Sequence, residues 1–330
     1  MKKIHIIATG GTIAGMGAKG RTSDYHAGQL DVSELISALP PIDADIEISY
    51  EQFANVDSND MTIDLWLTLV KRIDYLANNT DIAGFVITHG TDTMDEISYF
   101  LSVTVQTQKP VVLTGSMRPA SSTSADGLLN LYDSIYVAAD DNSFGENVLV
   151  CFCGTIYSGH NVIKSSTFQV DAFDGRTPSS LGYIQDGQCY YYNAFGPLSR
   201  QLQHFNVDEV EKLPRVDIIY YYTDAPSDIL DLYASVAEGI VICGTGAGNY
   251  SQAWIDKVSG MDMPIVRASR VMNGMITRTQ HFDPTENTIP AYTLPPQKAR
   301  ILLSLALLQT RDYDELKQIF KTSFPSKPIR

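Results

Sequence analysis

Two short segments constrain the fold of this chain more than any other feature, because each places a threonine on a glycine turn directly after an apolar run. The first segment is ATGGT at residues 8–12, and the second is THGTD at residues 88–92. Short apolar runs closed by glycine are typical of buried parallel strands, and the C-terminal ends of such strands carry function in open α/β sheets. The sequence therefore predicts a hydroxyl at the end of each strand, from Thr12 and from Thr91.

A hydroxyl on such a turn has surroundings that suit a nucleophile. Glycine leaves the backbone accessible, and the N–H groups of the turn can face the oxyanion that an attack creates. We expect such donors at the Gly11-Thr12 and Gly90-Thr91 turns. Threonine is nevertheless a poor nucleophile until a neighbouring group removes its proton. From the residues alone, a hydrolytic site and a plain structural turn both remain open.

The glycine groups fit a phosphate-binding loop less well. The dinucleotide fingerprint GxGxxG fails at the first group because Thr12 stands where the second glycine belongs. It fails at residues 244–249 because Asn249 stands at the last glycine position, and no P-loop lysine follows either group. A nucleotide site is therefore the weaker interpretation.

The length and charge of the chain bound the remaining possibilities. A chain of 330 residues is long for one hydrophobic core and is comfortable for two domains of unequal size. Its hydrophobic content of 44% and charged content of 19% are those of an ordinary globular protein. The net charge of −14 argues against a nucleic-acid or anionic-membrane partner, since both need clustered Lys and Arg.

Strand and helix patterns alternate along the chain in the βαβα order of an α/β fold. We expect a larger N-terminal domain with a doubly wound, mostly parallel sheet over residues 1–193, and a smaller C-terminal α/β domain over residues 216–330. Residues 194–215 are the linker candidate, because the periodicity fades there around Gly196, Pro197 and Pro214.

The expected elements follow from apolar spacing and capping residues. In the first domain Thr62 caps a helix, Asp126 begins another, and a third covers residues 95–105. Strands are expected there at residues 3–7, 84–88, 110–114 and 148–153, with short strands up to residue 192. In the second domain we expect strands at residues 216–222, 239–243 and 265–268, and helices from residues 226, 251, 296 and 312.

The four cysteines form no recognisable disulfide or metal pattern. Cys151 and Cys153 alternate along the apolar run at residues 148–153, so we expect both to face one side of a strand. The other two are Cys189 and Cys243, and neither a CxxC nor a Cys/His spacing is present. We therefore expect buried free thiols and no bound metal, which favours a reducing compartment.

The N-terminus imitates a signal peptide only in its first residues. Lys2 and Lys3 are followed by an apolar run of about five residues, shorter than the usual ~7–15. The longest apolar stretch elsewhere, residues 301–308, is far shorter than a membrane span. We therefore expect a cytoplasmic protein that does not associate with a membrane.

Taken together, the two threonine segments resemble those of the bacterial L-asparaginase family, and of its type II members in particular. The resemblance extends in family order over nearly the whole chain, through SNDM at 58–61, TGSMRP at 114–119, SADG at 124–127, Lys164, GAGN at 246–249 and PQKAR at 296–300. It implies an amidohydrolase that converts L-asparagine and water to L-aspartate and ammonia through an acyl-threonine intermediate, without a metal or other cofactor. It also implies a homotetramer built from two close dimers.

The resemblance also implies catalytic residues. Thr12 attacks the side-chain amide of the substrate, with Tyr25 close by. A second set joins a hydroxyl, a lysine and a carboxylate, namely Thr91, Lys164 and Asp92. Such a set is chemically sensible, because a lysine between a carboxylate and a hydroxyl can polarise the hydroxyl and relay protons.

The substrate itself needs partners for two charges, since burying its α-ammonium or α-carboxylate unpaired would be costly. By the resemblance, Asp92 serves the ammonium, and Ser58 serves the carboxylate together with the backbone around Asn59 and Gly90. The GAGN match adds Asn249 to the binding residues. Asp126 can equally be a helix cap, and we leave it out of the predicted site.

One histidine lies beside a threonine motif and could in principle supply the base. His89 is two residues before Thr91, and we expect its side chain to point away from that of Thr91. A lone histidine beside a strand is more often a hydrogen-bonded core residue than a base. We interpret His89 in this way, and the resemblance also assigns proton transfer elsewhere.

Two places depart from the family pattern. Asn59 stands where many members have glutamine, and the shorter side chain predicts hydrolysis of asparagine with little glutaminase activity. Residues 277–283 contain no glutamate where members commonly supply one from a neighbouring subunit. Gln280 or His281 falls there and Glu286 is a poorer candidate, and we predict a catalytic role for none of them.

Two other functions remain as alternatives. An asparaginase-like subunit of a tRNA-dependent amidotransferase would share the core but carry an additional domain ahead of the first strand, with which this chain begins. A non-catalytic amino-acid-binding module would need neither Thr91 nor Lys164. The presence of both residues therefore favours the hydrolase.

Overall fold

The structure is a computed structural model that describes residues 1–18, 25–26, 28–175, 180–192 and 202–323. The chain divides into two units. The first unit is Met1–Arg200 with Asn206–Glu209, and the second is Gln201–Phe205 with Val210–Arg330. Residues 194–201 of the predicted linker lie outside the described residues.

The first unit is built around a large sheet. Its strands are β1 (Lys2–Gly10), β2 (Met16–Gly17), β3 (Tyr25–His26), β4 (Ile46–Val56), β5 (Ile82–Thr88), β6 (Val111–Thr114), β7 (Val148–Phe152), β8 (Thr155–Ser158), β9 (Val162–Lys164), β10 (Phe173–Gly175), β11 (Ser180–Gln185) and β12 (Gln188–Tyr191). Eight of them form one sheet in the order β12-β11-β8-β7-β6-β5-β1-β4. Strands β4, β1, β5, β6 and β7 are parallel, while β8, β11 and β12 extend the sheet in antiparallel pairs. The predicted mostly parallel sheet is thus confirmed.

Each helix described in the first unit buries apolar residues, and the first two begin at a capping side chain. The helices are α1 (Val32–Ser37), α2 (Ile63–Asn79), α3 (Met94–Thr104) and α4 (Gly127–Ala139). The hydroxyl of Thr62 accepts a hydrogen bond from the Leu65 N–H at 3.3 Å, so α2 starts as predicted. In α4, Leu131 and Ile135 are fully buried and pack into the same core as Ile6 of β1.

The second unit repeats the α/β plan on a smaller scale. Its strands are β13 (Val216–Tyr220), β14 (Gly239–Gly244), β15 (Ile265–Ser269) and β16 (Thr288–Pro290), which are all parallel in the order β13-β14-β15-β16. Its helices are α5 (Ile229–Ala234), α6 (Gln252–Ser259), α7 (Pro296–Ala306) and α8 (Tyr313–Thr322). The predicted smaller α/β domain is therefore confirmed as a fold.

Several elements were not predicted, among them β4, α1 and β16 and the two-residue strands β2 and β3. Strand β4 is an edge strand whose residues are half-buried or exposed, so its apolar positions do not form the continuous run that marks β1 and β5. Helix α1 has only six residues, yet it carries a readable capping box. The side chain of Asp31 accepts from the Ser33 N–H at 2.8 Å, and that of Glu34 accepts from the Asp31 N–H at 2.9 Å.

The expectation for the cysteines was wrong at Cys153. Strand β7 ends one residue earlier, and Cys153 adopts a positive φ of 50° in the turn to β8, where its side chain is exposed. All four cysteines are free; Cys151 and Cys243 are buried, and Cys189 is half-buried. The physical reason is the tight turn to β8, which removes Cys153 from the alternation of the strand.

None of the helices within residues 1–323 that the structure describes has both the length and the apolar composition of a membrane span. In the same residues, no three His, Cys, Asp or Glu side chains come together in a way that could hold a metal ion.

Candidate active site

The two threonine turns lie side by side at the C-terminal ends of neighbouring strands. Strands β1 and β5 pair in parallel, with Ala8 opposite Thr88, so both chains leave the sheet at the same edge. Gly11 has a φ of +85°, and a Cβ placed on it would lie 2.5 Å from the Gly90 nitrogen. Any side chain at residue 11 would prevent this approach, so glycine allows the backbones of the two turns to touch.

An irregularity in the sheet directs the chain into the first turn. The register between β1 and β4 shifts between Ala8 and Gly10, and Gly10 pairs with Val56. Bulges of this kind bend a strand and change the direction of the residues that follow. Residues Thr12–Ala14 then form a short 3-10 turn, in which the Gly15 N–H donates to the Thr12 carbonyl at 2.8 Å. Thr12 is only 6% exposed.

The second turn carries a connected polar set. The Lys164 ammonium donates to the Thr91 hydroxyl oxygen at 2.8 Å and to Asp92 Oδ1 at 2.5 Å. Lys164 is the last residue of β9, where it pairs with Phe173 of β10, so a small antiparallel sheet fixes its backbone. The structure thus brings together the three residues that the sequence predicted as a set.

The charge of Lys164 acts on both of its partners. Its hydrogen bond and positive charge lower the pKa of Asp92 below the ordinary value, although partial burial of the carboxyl opposes this shift. Asp92 therefore stays ionised over the physiological range. An ammonium that donates to a hydroxyl oxygen also makes that hydroxyl more acidic, which is how Lys164 can polarise Thr91.

The predicted binding residues Ser58 and Asn59 come to the same place from the end of β4. A Cβ on Gly90 would lie 2.8 Å from the Ser58 hydroxyl, so glycine lets the second turn pack directly on this buried serine. The Asn59 side-chain amide donates to Asp92 Oδ2 at 3.4 Å and to Asp57 Oδ1 at 2.8 Å. Sequence reasoning missed the contribution of Asp57.

Asp57 holds the local backbone through a recognisable turn pattern. It precedes the 3-10 turn Ser58–Asp60, and its Oδ1 also accepts from the Asn59 N–H at 2.9 Å. An aspartate that bonds the backbone two residues later is a familiar turn signal, and it could have been read from the sequence. Asp57 and Asp92 thus surround the Asn59 amide with two carboxylates.

His89 is a core residue, in agreement with the sequence interpretation. It is fully buried, and its Nδ1 lies 2.7 Å from the carbonyl oxygen of Gly90, to which it must donate. Burial lowers the pKa of His89 to about 4. The imidazole is therefore neutral at physiological pH and uses its Nδ1 proton to hold the second turn.

One expected oxyanion donor is already engaged. The Gly11 N–H donates to the Val56 carbonyl at 3.1 Å, across the bulge between β1 and β4. The Gly11 N–H therefore does not face a reacting group, although it belongs to one of the two turns where donors are expected. The physical reason is the bulge, because the register shift points this N–H back to the neighbouring strand.

Two predicted site residues, Tyr25 and Asn249, lie outside this polar set. Tyr25 pairs with Gly17 through the backbone of β3 and β2, while its side chain lies outside the described residues. Asn249 belongs to the second unit, where its N–H donates to the Thr245 carbonyl at 2.7 Å. Its Oδ1 is buried without a hydrogen-bond partner among the described residues.

The segment that lacks the expected glutamate also lies in the second unit. Gln280 and His281 are both exposed, and the His281 ring lies 4.5 Å from that of Phe282. Asp283 is buried and accepts from the Thr288 N–H at 3.3 Å, so it has a local structural role. Glu286 forms an ion pair with Arg278.

Comparisons with known proteins agree with this geometry. The family model described as "Asparaginase, N-terminal" matches residues 3–195, and the model described as "Glutaminase/Asparaginase C-terminal domain" matches residues 215–320. The chain therefore belongs to the asparaginase family.

Individual relatives match over almost the full length. A Haemophilus influenzae protein named "Probable L-asparaginase periplasmic" is 43% identical over 97% of this chain and 93% of its own length. "L-asparaginase 2" of Escherichia coli is 40% identical over 97% and 93%. The crystal structure of a "Probable Cytoplasmic L-asparaginase" from Campylobacter jejuni has a TM-score of 0.91 and 38% identity, covering 98% of this chain and 100% of that one.

Proposed function

We propose that this protein hydrolyses L-asparagine to L-aspartate and ammonia, with Thr12 as the nucleophile. The observation that carries the proposal is the contact between the two threonine turns, because it places the Thr12 turn beside the connected set of Thr91, Lys164 and Asp92. The family membership supports the same reaction. No metal or other cofactor takes part in the proposed chemistry.

The proposed reaction has two steps, whose atoms balance. In the first, the Thr12 oxygen bonds to the side-chain amide carbon, the C–N bond breaks, and the hydroxyl proton leaves with the nitrogen as ammonia. In the second, water attacks the resulting ester, which releases aspartate and returns a proton to the Thr12 oxygen. We propose that Thr91 and Lys164 relay protons during these steps, since the ammonium already contacts the Thr91 hydroxyl oxygen.

The proposed binding groups follow from the charges of the substrate. Asp92 is held ionised by Lys164, so it can accept the α-ammonium. The buried Ser58, with the backbone at Asn59 and Gly90, is proposed for the α-carboxylate. Tyr25 is proposed to lie near Thr12, and Asn249 is proposed as a further binding residue because its buried Oδ1 has no partner in the described part of the chain.

The test is ammonia release from asparagine and from glutamine, measured side by side on the purified protein. Thr12→Val should keep the fold and reduce ammonia release from asparagine to less than about one percent, because no oxygen remains for the ester bond. A matched control is Thr9→Val, which removes another buried hydroxyl, from the strand that leads into the Thr12 turn. Thr9 donates to the Thr88 carbonyl at 2.8 Å, so this change should affect stability and leave activity nearly intact.

The outcome for Thr12→Val decides the assignment. Substantial activity in this variant would move the nucleophile to Thr91. A wild-type protein that binds asparagine without releasing ammonia would instead favour the binding module, and ammonia release only in the presence of a charged tRNA would favour the amidotransferase subunit. Either result would overturn the proposed reaction.

We also propose that the protein is a homotetramer formed from two close dimers, as the family resemblance implies. Exposed tyrosines support an interface, since Tyr190 and Tyr220 are 52% and 59% exposed and tyrosine is enriched at such surfaces. Light scattering on the active protein tests this. A fully active species at the chain mass of 36.4 kDa would contradict it.

The boundaries and the compartment are proposals as well. We propose domains at residues 1–193 and 216–330 with a linker at 194–215, which the family-model ranges 3–195 and 215–320 support. We propose a cytoplasmic location because the free thiols of Cys153 and Cys189 are not fully buried, which favours a reducing compartment. Fractionation of the native cells tests the location, and release of the enzyme with periplasmic markers would contradict it.

A further inference from the structure

The loop after β6, residues 115–121, contacts both threonine turns and is fixed by one carboxylate. The Asp126 side chain accepts from the backbone N–H groups of Met117 and Arg118, each at 2.9 Å. It does not cap α4, although it stands directly before that helix and the sequence allowed this reading. Two backbone donors on one carboxylate define the position of the loop closely.

Asn130 completes this arrangement from the first turn of α4. Its buried side-chain amide donates to Asp126 Oδ2 at 3.2 Å and to the Gly115 carbonyl at 3.0 Å. Its Oδ1 accepts from the Cys153 N–H at 3.0 Å. The pair of Asp126 and Asn130 therefore ties the start of the loop to α4 and to the end of β7.

The loop reaches the second threonine turn at its first residue. A Cβ on Gly115 would lie 2.3 Å from the carbonyl oxygen of His89, so the two backbones are in direct contact. His89 in turn donates to the Gly90 carbonyl. Gly115 therefore packs against the backbone of the residues just before Thr91 and limits where that turn can lie.

The same loop reaches the first threonine turn at its far end. The Ala120 N–H donates to the Gly15 carbonyl at 3.0 Å, and the Ser121 hydroxyl accepts from the Gly17 N–H at 3.0 Å. Gly17 is also the residue that pairs with Tyr25. Movement of the loop would therefore shift the backbone on which Thr12 and Tyr25 depend.

We infer that Asp126, supported by Asn130, is a positioning residue that holds the two threonine turns in their relative places. The inference rests on the proposed function, because it assigns to Asp126 an effect on the turnover of that same site. Asp126 accepts hydrogen bonds from the loop and from Asn130, so it acts on the turns through the loop. Replacing its carboxylate should change how the turns are held and leave the binding groups at Ser58 and Asp92 in place.

The test is Asp126→Asn. The new side-chain amide has one oxygen to accept a hydrogen bond, so its NH2 group must face the second of the two backbone N–H groups, and one hydrogen bond to the loop is lost. We expect kcat for asparagine to fall about 10- to 100-fold, as for small misplacements of reacting groups, and KM to change less than about threefold. Amide hydrogen exchange at Gly17 and Ala120 should become faster, because their hydrogen bonds depend on the loop.

The matched control is Asp140→Asn at the other end of the same helix. Asp140 Oδ1 accepts from the Asn142 N–H at 2.7 Å, so it has comparable chemistry and no contact with the loop. A purely structural role predicts equal losses of stability and equal kcat for the two variants. In that case, or if exchange at Gly17 and Ala120 is unchanged in Asp126→Asn, the inference is wrong.

A second variant tests the packing without removing a hydrogen bond. A Cβ on Gly127, the first residue of α4, would lie 2.7 Å from Ile13 Cγ1 and 3.2 Å from Ser116 Cβ. Gly127→Ala should therefore displace the Thr12 turn and lower kcat, while alanine's better helix propensity offsets part of the strain. Wild-type kcat and exchange rates in this variant would contradict the coupling between α4 and the turn.

The two proposals fail in distinguishable ways. If the wild-type protein releases no ammonia, the proposed function fails, and hydrogen exchange at Gly17 and Ala120 still decides whether Asp126 holds the loop. If wild type and Asp140→Asn are both active and Asp126→Asn equals them in kcat, the function stands and the positioning role is excluded.

Discussion

The two threonine turns end neighbouring strands and touch through glycine, yet they are supported by different kinds of contact. Around Thr91 the support is polar, since the Lys164 ammonium lies 2.8 Å from its hydroxyl and also contacts Asp92. Around Thr12 the backbone itself provides support, through the bulge of β1 at Gly10 and the hydrogen bond from Ala120 to Gly15. One turn is organised by charge, and the other is organised by chain geometry.

This difference indicates a division of labour between the turns. A charged set fixes protonation states, because Lys164 keeps Asp92 ionised and polarises the hydroxyl of Thr91. A backbone-supported turn fixes the position and direction of a side chain, which is the main requirement for a nucleophile. The comparison therefore agrees with Thr12 as the proposed attacking residue and with Thr91 as the proposed proton-relay residue.

The largest predicted effect removes the charged support. Lys164→Met should lower kcat about 10²- to 10⁴-fold, the usual range when a proton-transfer group is lost. Lys164→Arg should not restore the rate, because arginine cannot give up its proton at accessible pH. The measurement is steady-state ammonia release.

A lysine in an ordinary ion pair provides the control for this prediction. Lys2 contacts Asp141 at 2.6 Å on the surface of the same unit, so Lys2→Met removes a charge of the same kind away from the turns. Its kcat should equal that of the wild type. An unchanged rate in Lys164→Met would show that Lys164 is only structural and would end the proposed division of labour.

The next prediction compares the glycines at which the turns meet. Gly11→Ala places its Cβ 2.5 Å from the backbone nitrogen of Gly90 at a φ of +85°, and backbone atoms cannot move aside easily. Gly90→Ala meets the Cβ and hydroxyl of Ser58 at 2.7 and 2.8 Å, and the nearest backbone atom, the Ser58 nitrogen, is farther away at 3.2 Å. We expect both variants to lose stability, by about 1–3 kcal/mol as in overpacked sites, with the larger loss at Gly11.

Denaturant unfolding of the two variants measures this difference. Gly145→Ala is a suitable reference, because Gly145 also has a positive φ and its Cβ would meet only a side-chain atom at 3.8 Å. It therefore reports the backbone strain without the close contact. If Gly11→Ala is no less stable than this reference, the backbone contact between the turns is not as close as described.

How far the sequence predicts this molecule depends on the kind of contact. Continuous apolar runs predict β1 and β5 because burial on both faces leaves that pattern, whereas the edge strand β4 leaves a weaker one and was missed. Lys164 and Thr91 are 73 residues apart in the sequence, and their hydrogen bond could be expected only from the family resemblance. Its distances come from the structure alone.

Backbone hydrogen bonds that depend on a local irregularity were the least predictable. Oxyanion donors were expected at the Gly11-Thr12 turn, but the bulge of β1 directs the Gly11 N–H to Val56. Asp126 was undecided between a cap and a site residue, and it binds two N–H groups of a preceding loop instead. Neither arrangement leaves a periodic pattern in the sequence, because each is set by a few residues that the fold brings together.

A smaller effect is predicted for the preference for asparagine over glutamine, at Asn59 beside the charged set of Lys164 and Asp92. Asn59 stands where many relatives carry glutamine, and its amide reaches Asp92 at 3.4 Å, beyond the usual hydrogen-bond length. A weaker hold on the α-groups should disfavour glutamine most, because its longer side chain depends more on that hold. We expect asparagine to be preferred by about 10- to 200-fold in kcat/KM, the usual value of one methylene.

Asn59→Gln tests this explanation directly. The longer side chain should raise the rate for glutamine relative to asparagine, and side-by-side ammonia release from both substrates measures the ratio. Asn142→Gln is the control, because Asn142 also bonds an aspartate two residues earlier, at 2.9 Å, in a turn away from the site. A flat ratio in Asn59→Gln, or wild-type rates for the two substrates within about twofold, would show that residue 59 does not set selectivity.

The smallest predicted effect concerns pH and again separates the two turns. A carboxylate whose pKa is lowered in the folded protein keeps its favourable interactions above its ordinary pKa of about 3.9, and it loses them as the pH falls through the lowered value. The pKa of Asp92 is lowered in this way by Lys164. KM for asparagine should therefore change less than about twofold between pH 7 and pH 5, because Asp92 remains ionised throughout.

Asn59→Ala removes a hydrogen bond that also lowers the pKa of Asp92, though less than Lys164 does. The KM of this variant should therefore begin to rise at a slightly higher pH than that of the wild type. A wild-type KM that already rises between pH 7 and pH 6 would require a titrating group other than Asp92, and the charged turn would then not be the one that holds the ammonium.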